Sequence, residues 1–165
     1  MNPIACLVAK WKEQGIACPA GVALADVRAF EDRYHVLVPP DMREYFLTVN
    51  GMGPPNVCDD DLFNFFPLQD LITVAERLPD RCSTFAEASK YFMFADHSIS
   101  LPTYAIRLSS TPDAASPVAS VYSDFGAFEV EVFFDSFTDF VKQYLDDPVR
   151  TGCALPRSVQ PPVIP

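Results

Sequence analysis

The sequence predicts an α+β domain: N-terminal helices, an antiparallel β-sheet of about four to six strands, and a C-terminal helix packed on the sheet. Three observations carry this expectation. In the first third of the chain, apolar side chains recur at i, i+3, i+4 and i+7, which puts them on one helical face. Between Tyr91 and Phe134, short apolar or alternating runs follow one another with no helix between them, so neighbouring strands pair antiparallel. The stretch "FFDSFTDFVKQYL" then returns to helical spacing. The 165 residues suit one compact domain, and 14 phenylalanines against one tryptophan predict a core built largely on Phe.

The first helix is marked by Ile4, Leu7, Val8 and Trp11, with Gly15 as its stop. "IACLVA" has no basic residues before it and "KWKE" directly after it, so it fits an amphipathic helix better than a signal peptide. A second helix runs through "ALADVRAFEDRYH", with Val27, Phe30 and Tyr34 on one side, until "VLVPP" breaks it. Pro40 suits the first position of a third helix, whose apolar face is Met42, Tyr45, Phe46 and Val49. Asn50 and Gly51 are expected to stop it in the left-handed conformation.

A loop, "MGPPNVCDDD", follows. "LFNFFPL" reads as a strand ended or held at a sheet edge by Pro67. "LQDLITVAERLP" reads as one helix, with Leu68, Leu71, Ile72 and Ala75 in phase, and residues 79–90 as loop with a helical turn. Strands are expected at "YFMFAD", "TYAIRL", "VASVYS" and "AFEVEVFF", separated by the turns "SISLP", "SSTPDAASP" and "SDFGA". In the last strand Phe128, Val130 and Val132 alternate with Glu129 and Glu131, which reads as a half-buried strand with a solvent face. Ser136 caps the closing helix, with Phe137, Phe140, Val141 and Tyr144 as its apolar face. Residues 148–165, with five prolines and no acid, read as a tail on a domain spanning 1–147.

Net charge is −10, from 22 acidic and 12 basic residues. That balance argues against phosphate backbones and anionic membranes as partners and suits a basic protein, because opposite fields speed association. The acids are uneven: from Asp113 to Asp147 there are eight against Lys142 alone. Several strand faces and the final helix are expected to share one negative surface. Cysteines 6, 18, 58, 82 and 153 are odd in number and irregularly spaced, so free, buried or semi-buried thiols in a cytoplasmic setting are expected rather than a disulfide framework or zinc site.

Catalytic signatures are sparse. GxSxG, HExxH, GxGxxG and P-loop patterns do not occur, and the two histidines, His35 and His97, lie in different segments. His97 follows Asp96 at a strand end, where a turn residue is the plainer explanation. Asp59, Asp60 and Asp61 are consecutive carboxylates, but they lack the spaced ligands of a calcium loop and read as a charged loop. Neither a metal nor a cofactor is expected. Glu129 and Glu131 share one face of a strand, with no other sign of glycosidase chemistry.

The order of these motifs resembles the SUKH superfamily. "VRAFEDRYHVLVPPDMREYFLTVNG" resembles its N-terminal signature, with the features falling on Phe30-Glu31, Pro39-Pro40-Asp41, Tyr45-Phe46-Leu47 and Asn50-Gly51. "FNFFPLQDLI", "YFMFADHS" and "FFDSFTDFVKQYL" are similar to its later elements, so the resemblance spans residues 24–146. Met42 stands where Tyr or Leu is more frequent, Ala95 stands where Gly is usual, and the loops at 52–62 and 79–90 match nothing in the pattern. The resemblance implies an α+β fold and a non-catalytic binding role. Bacterial members are mainly immunity proteins that neutralise polymorphic toxins, often nucleases or deaminases. Fungal members are interaction proteins linked to cell-wall synthesis and signalling.

The leading expectation is an immunity protein, monomeric or weakly dimeric, that occludes a cognate toxin with a basic surface. Charge alone nominates Asp59, Asp60, Asp61, Asp96, Asp124, Glu129 and Glu131 as its contacts. A regulatory or scaffold module is the second expectation. A small hydrolase using His97 and a carboxylate is the third, and it requires an acid within hydrogen-bond reach of His97.

Overall fold

A computed structural model describes residues 2–53, 57–99, 101–124 and 127–153. The fold is α+β, with three N-terminal helices, an antiparallel six-stranded sheet interrupted by one short helix, and two C-terminal helices. Helix α1 (Pro3–Glu13) starts where Asn2 Oδ1 accepts the N–H groups of Ile4 and Ala5 at 2.8 and 3.3 Å. Such a cap satisfies donors that an isolated helix start leaves open. Ile4, Leu7 and Trp11 are buried, as their spacing predicts. In α2 (Leu24–Tyr34) the Asp26 carboxylate accepts from Ala23 N–H at 3.0 Å. This helix ends at His35, which takes φ +53°, ahead of the two prolines expected to break it.

Helix α3 (Pro40–Thr48) begins at Pro40, as expected, but its stop differs from the sequence reading. Val49 is already extended and bridges Ala20, so its burial owes nothing to helical phase. Only Gly51 is left-handed, at φ +72°. Asn50 acts through its side chain instead: Oδ1 accepts from Leu68 N–H at 2.8 Å and Nδ2 donates to Gln69 at 3.1 Å. A Cβ on Gly51 would meet the Phe65 carbonyl oxygen and the Pro67 nitrogen, both at 2.7 Å. The Asn-Gly pair therefore docks the end of α3 onto the segment after β1 (Phe63–Phe65).

The single helix expected over residues 68–79 does not form. Leu68–Asp70 is a 3-10 turn, Ile72–Thr73 is strand β2, and only Val74–Arg77 is helical, as α4. Thr73 is the reason: its hydroxyl accepts from Glu76 N–H at 3.1 Å while Glu76 accepts from Thr73 N–H at 2.8 Å. This reciprocal cap starts a helix at residue 74 and leaves β-branched Ile72 and Thr73 extended against the next strand. Cys82–Thr84 supplies the helical turn expected in the loop that follows.

The main strands are β3 (Tyr91–His97), β4 (Thr103–Arg107), β5 (Val118–Asp124) and β6 (Ala127–Phe134). The sheet order is β1-β3-β4-β5-β6, and β2 pairs with β3 on the edge that β1 also uses. On one face Phe92, Phe94, Tyr104, Ile106 and Val118 meet α1, α3 and α5 (Phe137–Asp146) in the main core. On the other, Met93, Ala105, Ala119 and Val121 form a smaller cluster with Val74 and Tyr91. A bulge between Met93 and Ala95 breaks the alternation of β3, so that Phe94 and Ala95 both enter the main core.

Ser136 caps α5 as expected, accepting from Asp139 N–H at 3.1 Å. Pro148–Gly152, the start of the expected tail, forms a short helix, α6, capped by Asp147. Thr151 is buried, and its carbonyl accepts the Tyr104 hydroxyl. The rest of the expected tail, residues 154–165, lies outside the described residues, as do parts of the loops expected around 54–56, 100 and 125–126.

Gly51 and Gly15 both have positive φ, yet a Cβ on Gly15 meets nothing within 4 Å. Gly15→Ala therefore reports backbone strain alone, roughly 1 kcal/mol, while Gly51→Ala adds a backbone clash and is expected to cost about 2–3 kcal/mol or more. Urea unfolding of the two variants checks this; equal losses would show that the docking of α3 does not depend on the missing Cβ.

Candidate interaction surface

The seven acidic residues nominated by charge fall into three places. The first is the loop before β1. Asp59 is buried there, only 4% exposed. Its Oδ1 accepts from Phe63 N–H at 2.8 Å and Asp61 N–H at 3.0 Å, and its Oδ2 accepts the Tyr144 hydroxyl of α5. Trp11 of α1 donates to that same hydroxyl at 3.1 Å. Burial pushes the Asp59 carboxyl above the ordinary aspartate range, while the Tyr144 hydroxyl, Phe63 N–H and Lys10 charge draw it back. Burial first and the Asp59 carboxylate second raise the Tyr144 phenol. Asp59 thus faces inward and shapes the loop. Asp60 is exposed, its N–H reaching Gln14 at 3.4 Å. Asp61 is half-buried and pairs with Lys10 at 2.7 Å.

The second place is a groove of about 890 Å³ on the face of the sheet away from α5. The bulge in β3 turns Asp96 toward this face, opposite Asn64 and Thr103. Asp96 is 9% exposed and lines the groove with Asp70, Arg77 and an apolar set that includes Leu62, Phe66, Ile72, Met93 and Ile99. Leu62 and Ile99 lie in loops with φ +65° and +62°, and Ile99 is 94% exposed. Charge-based reading missed both: the sequence pattern puts Leu62 in the strand "LFNFFPL", which starts one residue later at Phe63, and Ile99 in the turn "SISLP". The groove offers apolar contact beside carboxylates of both neighbouring segments.

The third place is the β5–β6 hairpin. Register sets Glu129 opposite Tyr122, Glu131 opposite Ser120 and Ala127 opposite Asp124. Residues directly opposite in an antiparallel pair share a face, and so do residues two apart on one strand. Asp124, Glu129 and Glu131 therefore lie on one face, on the same side as Tyr104 and α5. All three are half-buried. Phe128 and Val130 point the other way, into the smaller cluster. The hairpin is where the fold gathers carboxylates that the sequence separates, and Asp96 is on the opposite side of the sheet from them.

His97 sits under α6. Its ring lies 4.8 Å from that of Phe63, and a Cβ on Gly152 would come within 2.6 Å of its Nε2. Its Nδ1 is buried with no hydrogen-bond partner among the described residues, so the acid–His97 contact required of a hydrolase is not made through that nitrogen. Among the described residues no group of three or more His, Cys, Asp or Glu side chains could hold a metal ion, and no helix is long and apolar enough to cross a membrane. The cysteines are free; Cys6, Cys18 and Cys82 are half-buried, but Cys58 and Cys153 are exposed rather than buried.

The sequence model of the SMI1 / KNR4 family (SUKH-1) matches residues 21–143, from just before α2 into α5. Among curated proteins none matches the chain.

The buried carboxyl makes a testable signature. Asp59 holds its proton more tightly folded than unfolded, so its contribution to stability is full below the unfolded value of 3.8 and fades as pH rises through the raised native value. Asp59→Asn keeps an oxygen for the Phe63 and Asp61 N–H groups and removes the charge. The urea midpoint of this variant, relative to the native chain, is expected to climb with pH above 3.8. A difference that stays flat from acid to neutral pH would show that the Asp59 charge carries no such penalty.

Proposed function

Because the chain belongs to the SMI1 / KNR4 family (SUKH-1), we propose that it is a non-catalytic immunity protein that binds and neutralises a cognate secreted toxin. The family supports the role; the distribution of charge supports the manner. The observation that carries the reading is the hairpin face holding Asp124, Glu129 and Glu131 in a chain of net charge −10. Such a face draws in a partner whose own surface is basic, as the active surfaces of nucleases and many deaminases are, and holds off phosphate backbones. Asp60 adds negative charge at the β1 end of the sheet and Asp96 on its other face, while the charge of Asp61 is paired with Lys10 and Asp59 keeps the loop of Asp60 and Asp61 in shape. The protein then acts by covering the toxin, with no bond made or broken.

Two measurements test this. Where a toxin gene adjoins this one, co-expression of the two is expected to restore growth; continued growth arrest, or the absence of any such neighbour, overturns the immunity reading. With the purified pair, the association rate is expected to fall about tenfold or more as salt rises from about 0.01 M to about 0.15 M, where the screening length shrinks from about 30 Å to about 8 Å. Glu129→Lys with Glu131→Lys should flatten that slope. Association that ignores both salt and the double variant removes the steering role of the hairpin.

A further inference from the structure

We propose that β6 is a docking edge, to which the partner adds a strand of alternating basic and apolar side chains. This rests on the reading of the protein as the binder of a basic partner, and it names how that partner is held.

The two edges of the sheet are built differently. At one, β1 is three residues long, and its carbonyls at Phe63 and Phe65 already accept from Asp59 N–H at 2.9 Å and Met52 N–H at 3.0 Å. At the other, β6 runs for eight residues and, among the described residues, pairs with β5 alone. Every second residue of such a strand turns its N–H and C=O away from its one neighbour, which is a template for a further strand. Edges that must stay unpaired are commonly blunted with charged side chains, Lys above all, with Pro, short length or a bulge. Here the only charges are two glutamates, which repel an acidic or identical strand and admit a basic one. Ala127–Val132 contains neither Lys nor Pro, and the one extra residue, Phe133, comes after it.

The side chains of β6 specify the occupant. Glu129 and Glu131 line one face of the edge; Phe128, Val130 and Val132 line the other, with Val132 half exposed. Side chains of an added strand stand about 5 Å from those directly opposite, so cations are favoured on the first face and apolar groups on the second. A second copy of this chain is disfavoured: two β6 edges joined about a perpendicular two-fold axis set Glu129 and Glu131 against the same residues of the other copy. Like charges directly opposite destabilise such pairs. The edge is thus open to a basic strand and guarded against itself.

The full chain can be tested with two synthetic heptapeptides of one composition, one alternating Lys and Val and one with its four Lys before its three Val. The alternating peptide is expected to bind roughly tenfold more tightly and to slow amide exchange over Ala127–Val132, and Glu129→Gln with Glu131→Gln should erase the preference. Equal affinities, no binding, or saturation without protection of β6 each overturn the proposal. In the toxin complex, protection confined to other segments overturns edge docking and leaves the immunity reading standing. Protection of β6 by the peptide in a protein that fails to restore growth removes the immunity reading alone.

Discussion

A single phenol joins the pieces of this fold that sequence keeps farthest apart. The Tyr144 hydroxyl accepts from Trp11 and donates to Asp59, so α1, α5 and the loop leading into β1 meet at one oxygen. Lys10 stands 4.3 Å above the same ring and pairs with Asp61, closing the group with a charge at its rim. Around it, the rings of Phe63 and Phe65 pack on Tyr144 at 4.9 and 5.3 Å. Burying rings of this size is worth about 2–3 kcal/mol each, so the apolar packing dominates and the polar relay decides which way the packed elements point. Exposed ion pairs add little by comparison.

Most of the helices and main strands were legible because their signals are local. A periodic stripe such as Ile4, Leu7 and Trp11 becomes a buried face wherever any core is available, and a cap such as Ser136 acts over three residues. The failures share a different cause. The apolar phase of Leu68, Leu71 and Ile72 is real, but the reciprocal cap between Thr73 and Glu76 and the pairing of β2 with β3 cut it short. Asp59 looked like one of three solvated acids, and what makes it internal is a tyrosine 85 positions away. Propensity and spacing hold no record of such a partner.

The candidate surface was legible in the same uneven way. Alternation in "AFEVEVFF" was enough to put Glu129 and Glu131 on one face, and pairing with β5 brought Asp124 to it. Nothing in the sequence showed that this face belongs to the side covered by α5, because that depends on which way the whole sheet is laid. The exposed Leu62 and Ile99 went unnoticed for a related reason: their exposure follows from left-handed loop geometry, which side-chain chemistry at those positions would not have chosen.

The bulge at Phe94 works as a phase shifter. Counting by twos from Phe92 would send Asp96 inward among the aromatic rings and His97 outward; the extra residue exchanges them. One half of the strand is therefore written in one parity and the other half in the opposite parity, and each face of the sheet reads both halves. Forcing the same residues into plain alternation, with no bulge, would leave every letter downstream intact and invert its meaning, with a carboxylate where the core expects a ring.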